Sequence, residues 1–337
     1  MRQKLWKIKY YIKRLFIMQW GTFFKTAKEV SRRSGKSTIV SFFDIVIASL
    51  RYNAGYNDYI EFEFYLMNHE ERKTYLTSAQ SMSIARNHNK LSEAEKILDK
   101  AEFHNHYGKY VSRQSIDLRQ EDKEAFINFV KEYKKVVFKV VDGNSGEGID
   151  LYEYKEDEDF DKLYDTLMKK EQYLIEEYFV QHPKMSELSD TSVNTIRMVT
   201  FIDSNQTPHL VVAALKASVD SFKDNIGPGG IYTIVDENGT VTVPFINQQG
   251  EHISIHPRTQ KDLIGFQIPH FDNLKKQILD VAMILPDVRY IGWDIAVTPE
   301  GNIEIIEGNP FTGPFQLPAS LSGKKGVLPK LEKLMQI

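Results

Sequence analysis

Gly292-Trp293-Asp294-Ile295-Ala296-Val297, a turn at Pro299-Glu300-Gly301, and Asn302-Ile303-Glu304-Ile305-Ile306-Glu307-Gly308-Asn309-Pro310 read as two apolar strands joined as a hairpin. Side chains alternate between faces along a strand, so Glu307 and Asn309 share one face. A turn near Gly301 can bring Asp294 opposite, or nearly opposite, that face. Two carboxylates and an amide oxygen then converge. Hard oxygen donors of this kind suit Mg²⁺, with Mn²⁺ as a second fit, holding a polyphosphate. Strand-end or surface acids would give the same letters. The apolar neighbours Trp293, Ile295, Ile305 and Ile306 favour function, because an acid buried among them needs a partner.

Outward from this hairpin, the chain continues to read as strands with one helical interruption. Thr195–Ile202 and His209–Ala217 alternate as strands. Ile231–Val235 and Val241–Phe245 predict a hairpin turning at Asp236-Glu237-Asn238-Gly239, and Asp272–Leu285 predicts a helix. Further upstream, Lys123–Tyr133 and Asp159–Lys170 predict helices, and 136–141, 149–154 and 173–179 predict strands. Residues 1 to about 106 carry helical patterns with almost no strand signal, and Ser92-Glu93-Ala94-Glu95 resembles a helix start. The expected class is α+β with antiparallel sheets after a helical region, divided at 1–106, 107–180 and 181–337.

Between two of these strands runs Lys139-Val140-Val141-Asp142-Gly143-Asn144-Ser145-Gly146-Glu147-Gly148-Ile149. Glycines let backbone N–H groups approach a phosphate closely. Lys139 among valines is a costly charge without an anion. No Gly-Lys-Ser/Thr follows, so this is not a Walker A loop. A strand follows rather than a helix, so it is not a dinucleotide fingerprint. A tight hairpin uses glycine for steric reasons alone, so the loop in isolation stays ambiguous. Tyr173-Leu174-Ile175-Glu176-Glu177-Tyr178-Phe179 is, in isolation, an ordinary strand with polar groups at its end.

The order of these elements resembles the ATP-grasp superfamily. Asp99-Lys100 is similar to its first nucleotide lysine, Lys139 to its second, and the small α+β unit over residues 107–180 to its lid. Glu176, Glu177 and Phe179 resemble the hinge strand that binds adenine, with Glu177 and Phe179 acting through their backbones. Asp294 with Glu307-x-Asn309 is similar to its metal hairpin. The runs Ser192–Thr200, Asp224-Asn225 with Gly229-Gly230-Ile231, Gly292–Ala296, Glu71-Arg72 and Leu98–Lys100 look like the sugar-transfer-associated ATP-grasp family.

That resemblance implies ATP-dependent carboxylate–amine ligation through an acyl phosphate. It implies ATP with two Mg²⁺ on Asp294, Glu307 and Asn309, and phosphates on Lys100, Lys139 and the amides of Gly143, Ser145, Gly146 and Gly148. The substrates implied are an amino acid or amine and a saccharide carboxylate or amine, in exported polysaccharide synthesis. The acceptor would approach Asn225, Gly229 and Gly230. Phosphotransfer to a hydroxyl, or a non-catalytic nucleotide-binding module docked on a membrane, are the rival classes.

Two departures stand out. No Rossmann-like first domain is visible upstream. The Arg-x-Asp of some ligases is Gly292-Trp293-Asp294 here, so positive charge beside the phosphates must come from elsewhere. Arg197 and Lys216 are the candidates, unless they face outward as surface cations. His182, in Gln181-His182-Pro183, either touches the ribose or is a solvated loop histidine.

Composition narrows the rest. The 337 residues contain no cysteine, which excludes disulfides, thiolate metal sites and cysteine nucleophiles. A formal charge of -3 hides an asymmetry: residues 1–37 hold eleven Lys/Arg and one acid, Glu29, against 32 basic and 45 acidic residues in the remainder. No run reaches the roughly 18 apolar residues of a membrane span. No cleavage site follows the basic start, so a cytoplasmic protein is expected. Leu5, Ile8, Ile12, Leu15 and Phe16 fall on one helical stripe flanked by lysines. Residues 1–20 therefore read either as an interfacial helix on anionic lipid or as a helix packed on its own protein. Nucleic acid is not expected, because the charge is confined to one end and no binding motif accompanies it.

Overall fold

The computed structural model describes residues 20–140, 148–189, 192–219 and 229–336. The expected helix over 1–20 lies outside these, apart from Trp20. Contacts divide the described chain into two compact units, 20–84 with Gln316–Lys333 and Ala85–Phe315 with a short C-terminal piece.

The first unit is helical. Helices α1 (Trp20–Ser34) and α2 (Thr38–Tyr52) pack side by side. Ser37 caps α2 by accepting from the Val40 N–H, and Asn53 ends it in the left-handed conformation. Phe23, Ala27 and Val30 of α1 meet Ile45, Ala48 and Tyr52 of α2 over Tyr59, Phe62 and Phe64. The one acid in the middle of α2, Asp44, is neutralised by Arg72, which donates to both carboxylate oxygens at 2.6 and 2.8 Å. The Tyr59 hydroxyl adds a third donor at 2.7 Å.

The second unit holds two antiparallel sheets. The smaller contains β1 (Ser115–Asp117), β2 (Lys135–Lys139), β3 (Ile149–Glu153) and β4 (Leu174–Glu177) in the order β1-β4-β2-β3. Helices α3 (Lys123–Tyr133) and α4 (Phe160–Lys169), capped by Asp122 and Asp159, supply Phe126, Val130 and Leu167 to its core.

The larger sheet contains β5 (Ile196–Ile202), β6 (Pro208–Ser218), β7 (Gly230–Ile234), β8 (Phe245–Ile246), β9 (His252–Ile253), β10 (Tyr290–Val297) and β11 (Ile303–Asn309). Its order is β11-β10-β5-β6-β7-β8-β9. One face buries Met198, Leu215, Trp293, Ile295 and Ile305 against α5 (Phe271–Ala282). The other face carries Arg197, Lys216 and Asp294 from the intervening positions.

One expected strand is shorter than its sequence suggests. Val235 and Val241 form a single bridge, and the chain resumes pairing only at Phe245–Ile246. Pro244 has no N–H to give a ladder. Val241 bonds instead to the 265–266 segment, donating to the Phe266 carbonyl at 2.9 Å. The helix expected at Ser92 starts at Leu91, with Lys90 at its N-cap.

Candidate active site

Three neighbouring strands bring the polar face together. In the register of β5, β10 and β11, Asp294 lies opposite Arg197 on one side and opposite Glu307 on the other. Lys216 comes from β6, the next strand along. Arg197 grips Asp294 with two parallel bonds, Nε to Oδ1 and Nη2 to Oδ2, each 2.6 Å. Lys216 Nζ reaches Oδ1 at 3.1 Å. Lys216 is 4% exposed and Asp294 5%, so these are desolvated charges that stabilise one another. Burial opposes ionisation of Asp294, but Lys216 and Arg197 overcome it and hold its pKa well below the usual carboxylate range.

Arg197 is placed by more than its ion pair. Its guanidinium lies 4.9 Å from the Phe315 ring centre and donates to Thr312 Oγ1 at 3.2 Å. Gly292 makes room for it. A Cβ there would overlap the Thr312 hydroxyl and sit 3.1 Å from Arg197 Nη1. The glycine that replaces the expected arginine thus leaves the space that the Arg197 guanidinium occupies.

Glu307 completes the set. Its Oε1 accepts from Asn309 Nδ2 at 2.9 Å and lies 3.8 Å from Arg197 Nη2. Desolvation by the surrounding protein, followed by the Asp294 charge, raises its pKa, although 58% of the side chain faces solvent. Two carboxylates in register, one disfavoured by the charge of the other, together with an amide side chain, fit a hard divalent cation. Among the described residues no cluster of three or more His, Asp or Glu could hold a metal ion.

Sequence reasoning missed a second charged cluster on the same face. The hairpin register slips between Asp294/Glu307 and Ile295/Ile305, leaving Ile306 as an extra residue. Glu304 and Glu307, three apart, therefore both leave the apolar face. Glu304 is fully buried and takes Arg113 Nη1 at 2.6 Å, with Ser112 N and Oγ each at 2.7 Å. Arg113 also donates to Glu176 Oε2 at 3.0 Å and to the Ile305 and Ile306 carbonyls at 2.9 and 3.3 Å. Lys139 pairs with the same Glu176 oxygen. Burial raises the Glu176 pKa, but Arg113 and Lys139 win and lower it to about 2. The signal was available: an acid between Ile303 and Ile305 needs a partner as much as Asp294 does.

The remaining expected residues are more scattered. Gly143, Ser145, Gly146 and Asn225 lie outside the described residues, as does the Lys100 side chain; its backbone opens the helix Lys100–Tyr107. Gly148 has φ +66, and its carbonyl accepts from the Val140 N–H at 3.1 Å. Gly229 precedes β7 and Gly230 begins it. The Glu177 N–H already donates to the Gln114 carbonyl at 2.9 Å. Glu177 and Phe179 line a cleft of about 530 Å³ with Tyr178, Val180, Arg113, Glu304 and the 298–303 turn; neither Asp294 nor Lys139 lines it. His182 caps the short helix Pro183–Ser186 by accepting from the Lys184 N–H at 3.0 Å, so its Nδ1 is occupied. Burial and then His270 lower its pKa.

The profile of sugar-transfer associated ATP-grasp proteins matches residues 80–336. The chain belongs to the sugar-transfer associated ATP-grasp family. Among solved structures it is similar to the ATP-grasp ligase PsnB complexed with a phosphomimetic variant of a minimal precursor, Mg and ADP, at 14% identity and TM-score 0.43 over 76% of this chain. It spans 65% of that protein's length. It is also similar to the D-alanine–D-alanine ligase of Bacillus anthracis complexed with ATP, at 11% identity and TM-score 0.43, covering 72% of this chain and 67% of the ligase. The D-alanine–D-alanine ligase of Coxiella burnetii matches at 10% identity and TM-score 0.40, covering 73% of this chain and 54% of that one. Nothing among the curated proteins matches. The ATP-grasp fold accounts for the two antiparallel sheets, and the family match leaves residues 1–79 outside it.

Proposed function

We propose that this ATP-grasp protein is an ATP-dependent ligase that joins a carboxylate to an amine through an acyl phosphate. The observation that carries this reading is the convergence of Arg197 and Lys216 on Asp294, with Glu307 in register opposite. Asp294, Glu307 and Asn309 would hold Mg²⁺, which supplies charge neutralisation of phosphate oxygens when bound. Arg197 and Lys216 sit within that carboxylate set, where they can offset negative charge that develops on a transferring phosphoryl group. Lys139 exchanges its bond to Glu176 for phosphate oxygens. The base lies on the side of Glu177 and Phe179, whose cleft is within the size range of small-molecule sites. The substrate carboxylate attacks the γ-phosphorus and ADP leaves. The amine then attacks the acyl carbon, phosphate leaves, and an amide forms.

The substrates we assign are an amino acid and a sugar, either a uronic acid or an amino sugar, consistent with the family's description as sugar-transfer associated. The acceptor passes Asn225, Gly229 and Gly230. We place the protein on the cytoplasmic side of a membrane, with the basic residues 1–20 touching anionic lipid. Among the described residues no helix is long and apolar enough to cross a membrane.

Phosphate release in a screen crossing uronic acids and amino sugars with amino acids tests the reading. Amine-dependent ADP formation, and a hydroxamate trapped by hydroxylamine, are the expected results. Turnover that persists with hydroxyl acceptors alone, with no hydroxamate, would replace ligation by phosphotransfer.

A further inference from the structure

Helix α2 is apolar on two opposite sides. Ser41, Ile45, Ala48 and Tyr52 point into the core of the first unit. Ile39, Phe43, Ile47 and Leu50, at spacings of four, four and three, form a stripe that stays 44–71% exposed. The stripe continues onto α1. Phe43 contacts Phe42 at 5.4 Å between ring centres, Phe42 stacks on Phe24 at 5.5 Å, and Phe24 lies 6.2 Å from Trp20. Trp20 and Phe24 are 42% and 48% exposed. A contiguous exposed apolar patch of this extent marks a surface that meets something else.

Charge identifies the occupant. Residues 1–52 hold twelve Lys/Arg and two acids, Glu29 and Asp44. Both acids are already taken, Glu29 by Arg32 and Arg33 and Asp44 by Arg72. Lys25, Lys28 and Arg51 are exposed on the same two helices as the patch. A second copy docked face to face would set like charge against like charge. Residues 1–19, with six basic side chains and no acid, carry the same sign. Aromatic and aliphatic side chains fringed by cations suit the boundary between headgroups and acyl chains of an anionic bilayer. We propose that the exposed α1–α2 face is a docking surface for anionic phospholipid membrane. It extends the contact proposed for residues 1–20 to a second, folded surface, and it does not depend on the ligase reading.

Co-sedimentation of the full chain, without nucleotide, with phosphatidylcholine–phosphatidylglycerol vesicles and with phosphatidylcholine alone tests this. Binding to the anionic vesicles that weakens with salt is expected. Ile39→Glu/Phe43→Glu/Ile47→Glu should lower the partition coefficient about tenfold or more, because each glutamate removes apolar contact and adds repulsion. A serine triple variant at the same positions should show a smaller loss in the same direction, and far-UV circular dichroism with thermal melting shows whether either variant keeps the helical first unit folded. No binding by the intact chain overturns the proposal. Unchanged binding by folded triple variants also overturns it, and would leave residues 1–20 as the sole contact. A dimer of the intact chain in light scattering that the triple variants convert to monomer would make the face an interface between copies instead.

Discussion

Replacing Arg113 by methionine tests whether the buried charge cluster joins the two sheets energetically. In the native chain the Arg113 guanidinium serves Glu304, Glu176 and two carbonyls of β11. After Arg113→Met, Glu304 keeps only the two Ser112 donors, in a fully buried position. Glu176 keeps Lys139. Breaking a buried pair from one side leaves an uncompensated charge and costs about 3–5 kcal/mol. The lowered Glu176 pKa has the same sign, since Arg113 and Lys139 together outweigh the burial that opposes its ionisation. Urea unfolding followed by tryptophan emission in a Trp6→Phe/Trp20→Phe background reads this, because Trp293 is fully buried beside the cluster's strand and bonds Thr200 Oγ1 at 3.0 Å. The expected loss is about 3 kcal/mol or more for Arg113→Met. Arg113→Met/Glu304→Met should recover much of it, since apolar replacement of both partners is often nearly neutral. A single variant within about 1 kcal/mol of wild type would refute the reasoning, because a cost that small belongs to a solvated surface pair.

Other perturbations address the site itself. Glu307→Gln should abolish phosphate release while leaving the melting temperature at neutral pH unchanged or higher. The folded Glu307 pKa is raised, so its ionisation opposes folding and the amide removes that penalty; wild-type turnover would remove Glu307 from the metal set. Lys139→Ala should weaken ATP binding measured by calorimetry, and unchanged affinity would take the lysine out of the nucleotide site. Gly292→Ala drives a methyl into Thr312 and Arg197, so a loss of kcat with about 1–3 kcal/mol of stability is expected; a fully active variant would show that the position of Arg197 is not critical. Glu176 and Asp294 both have lowered pKa values, so the stability they provide is present above their unfolded values of 4.5 and 3.8. It falls as pH drops from 4.5 toward about 2. Acid unfolding of Arg113→Met that matches wild type in this range would count against the coupling.

Strand periodicity made most of the larger sheet legible. Tyr290–Val297 is buried along its whole length, so Asp294 was legible as an acid among apolar neighbours that needs a partner, whereas the face that Arg197 takes was left open. Periodicity failed at Ile306. One extra residue there reverses the alternation, so Glu304 and Glu307 share a face although simple counting sets them apart. Arg113 was hidden for a related reason, because its partners Glu176 and Glu304 come from distant strands in two sheets. The exposed face of helix α2 was hidden by composition: the segment is apolar on two opposite sides, and sequence does not say which side is left uncovered.

The cation beside Asp294 shows how these readings combine. Gly292-Trp293-Asp294 lacks the arginine expected two residues before the aspartate, which by itself suggests a weakened phosphate site. In the folded chain the adjacent strand supplies the charge. Arg197 is the cross-strand neighbour of Asp294, and a guanidinium in that position needs volume near residue 292. Glycine provides that volume. Arginine at 292 would put its Cβ against Thr312 and its charge beside Arg197, so both arginines could not occupy the site in this arrangement. The glycine and Arg197 therefore form one structural solution. Gly292→Arg alone should be inactive, while Gly292→Arg/Arg197→Ala should regain phosphate release above the single variant if charge location is what matters. If the double variant is no better than Arg197→Ala, the two-point grip on Asp294 from β5, and not the charge alone, is what the chemistry requires.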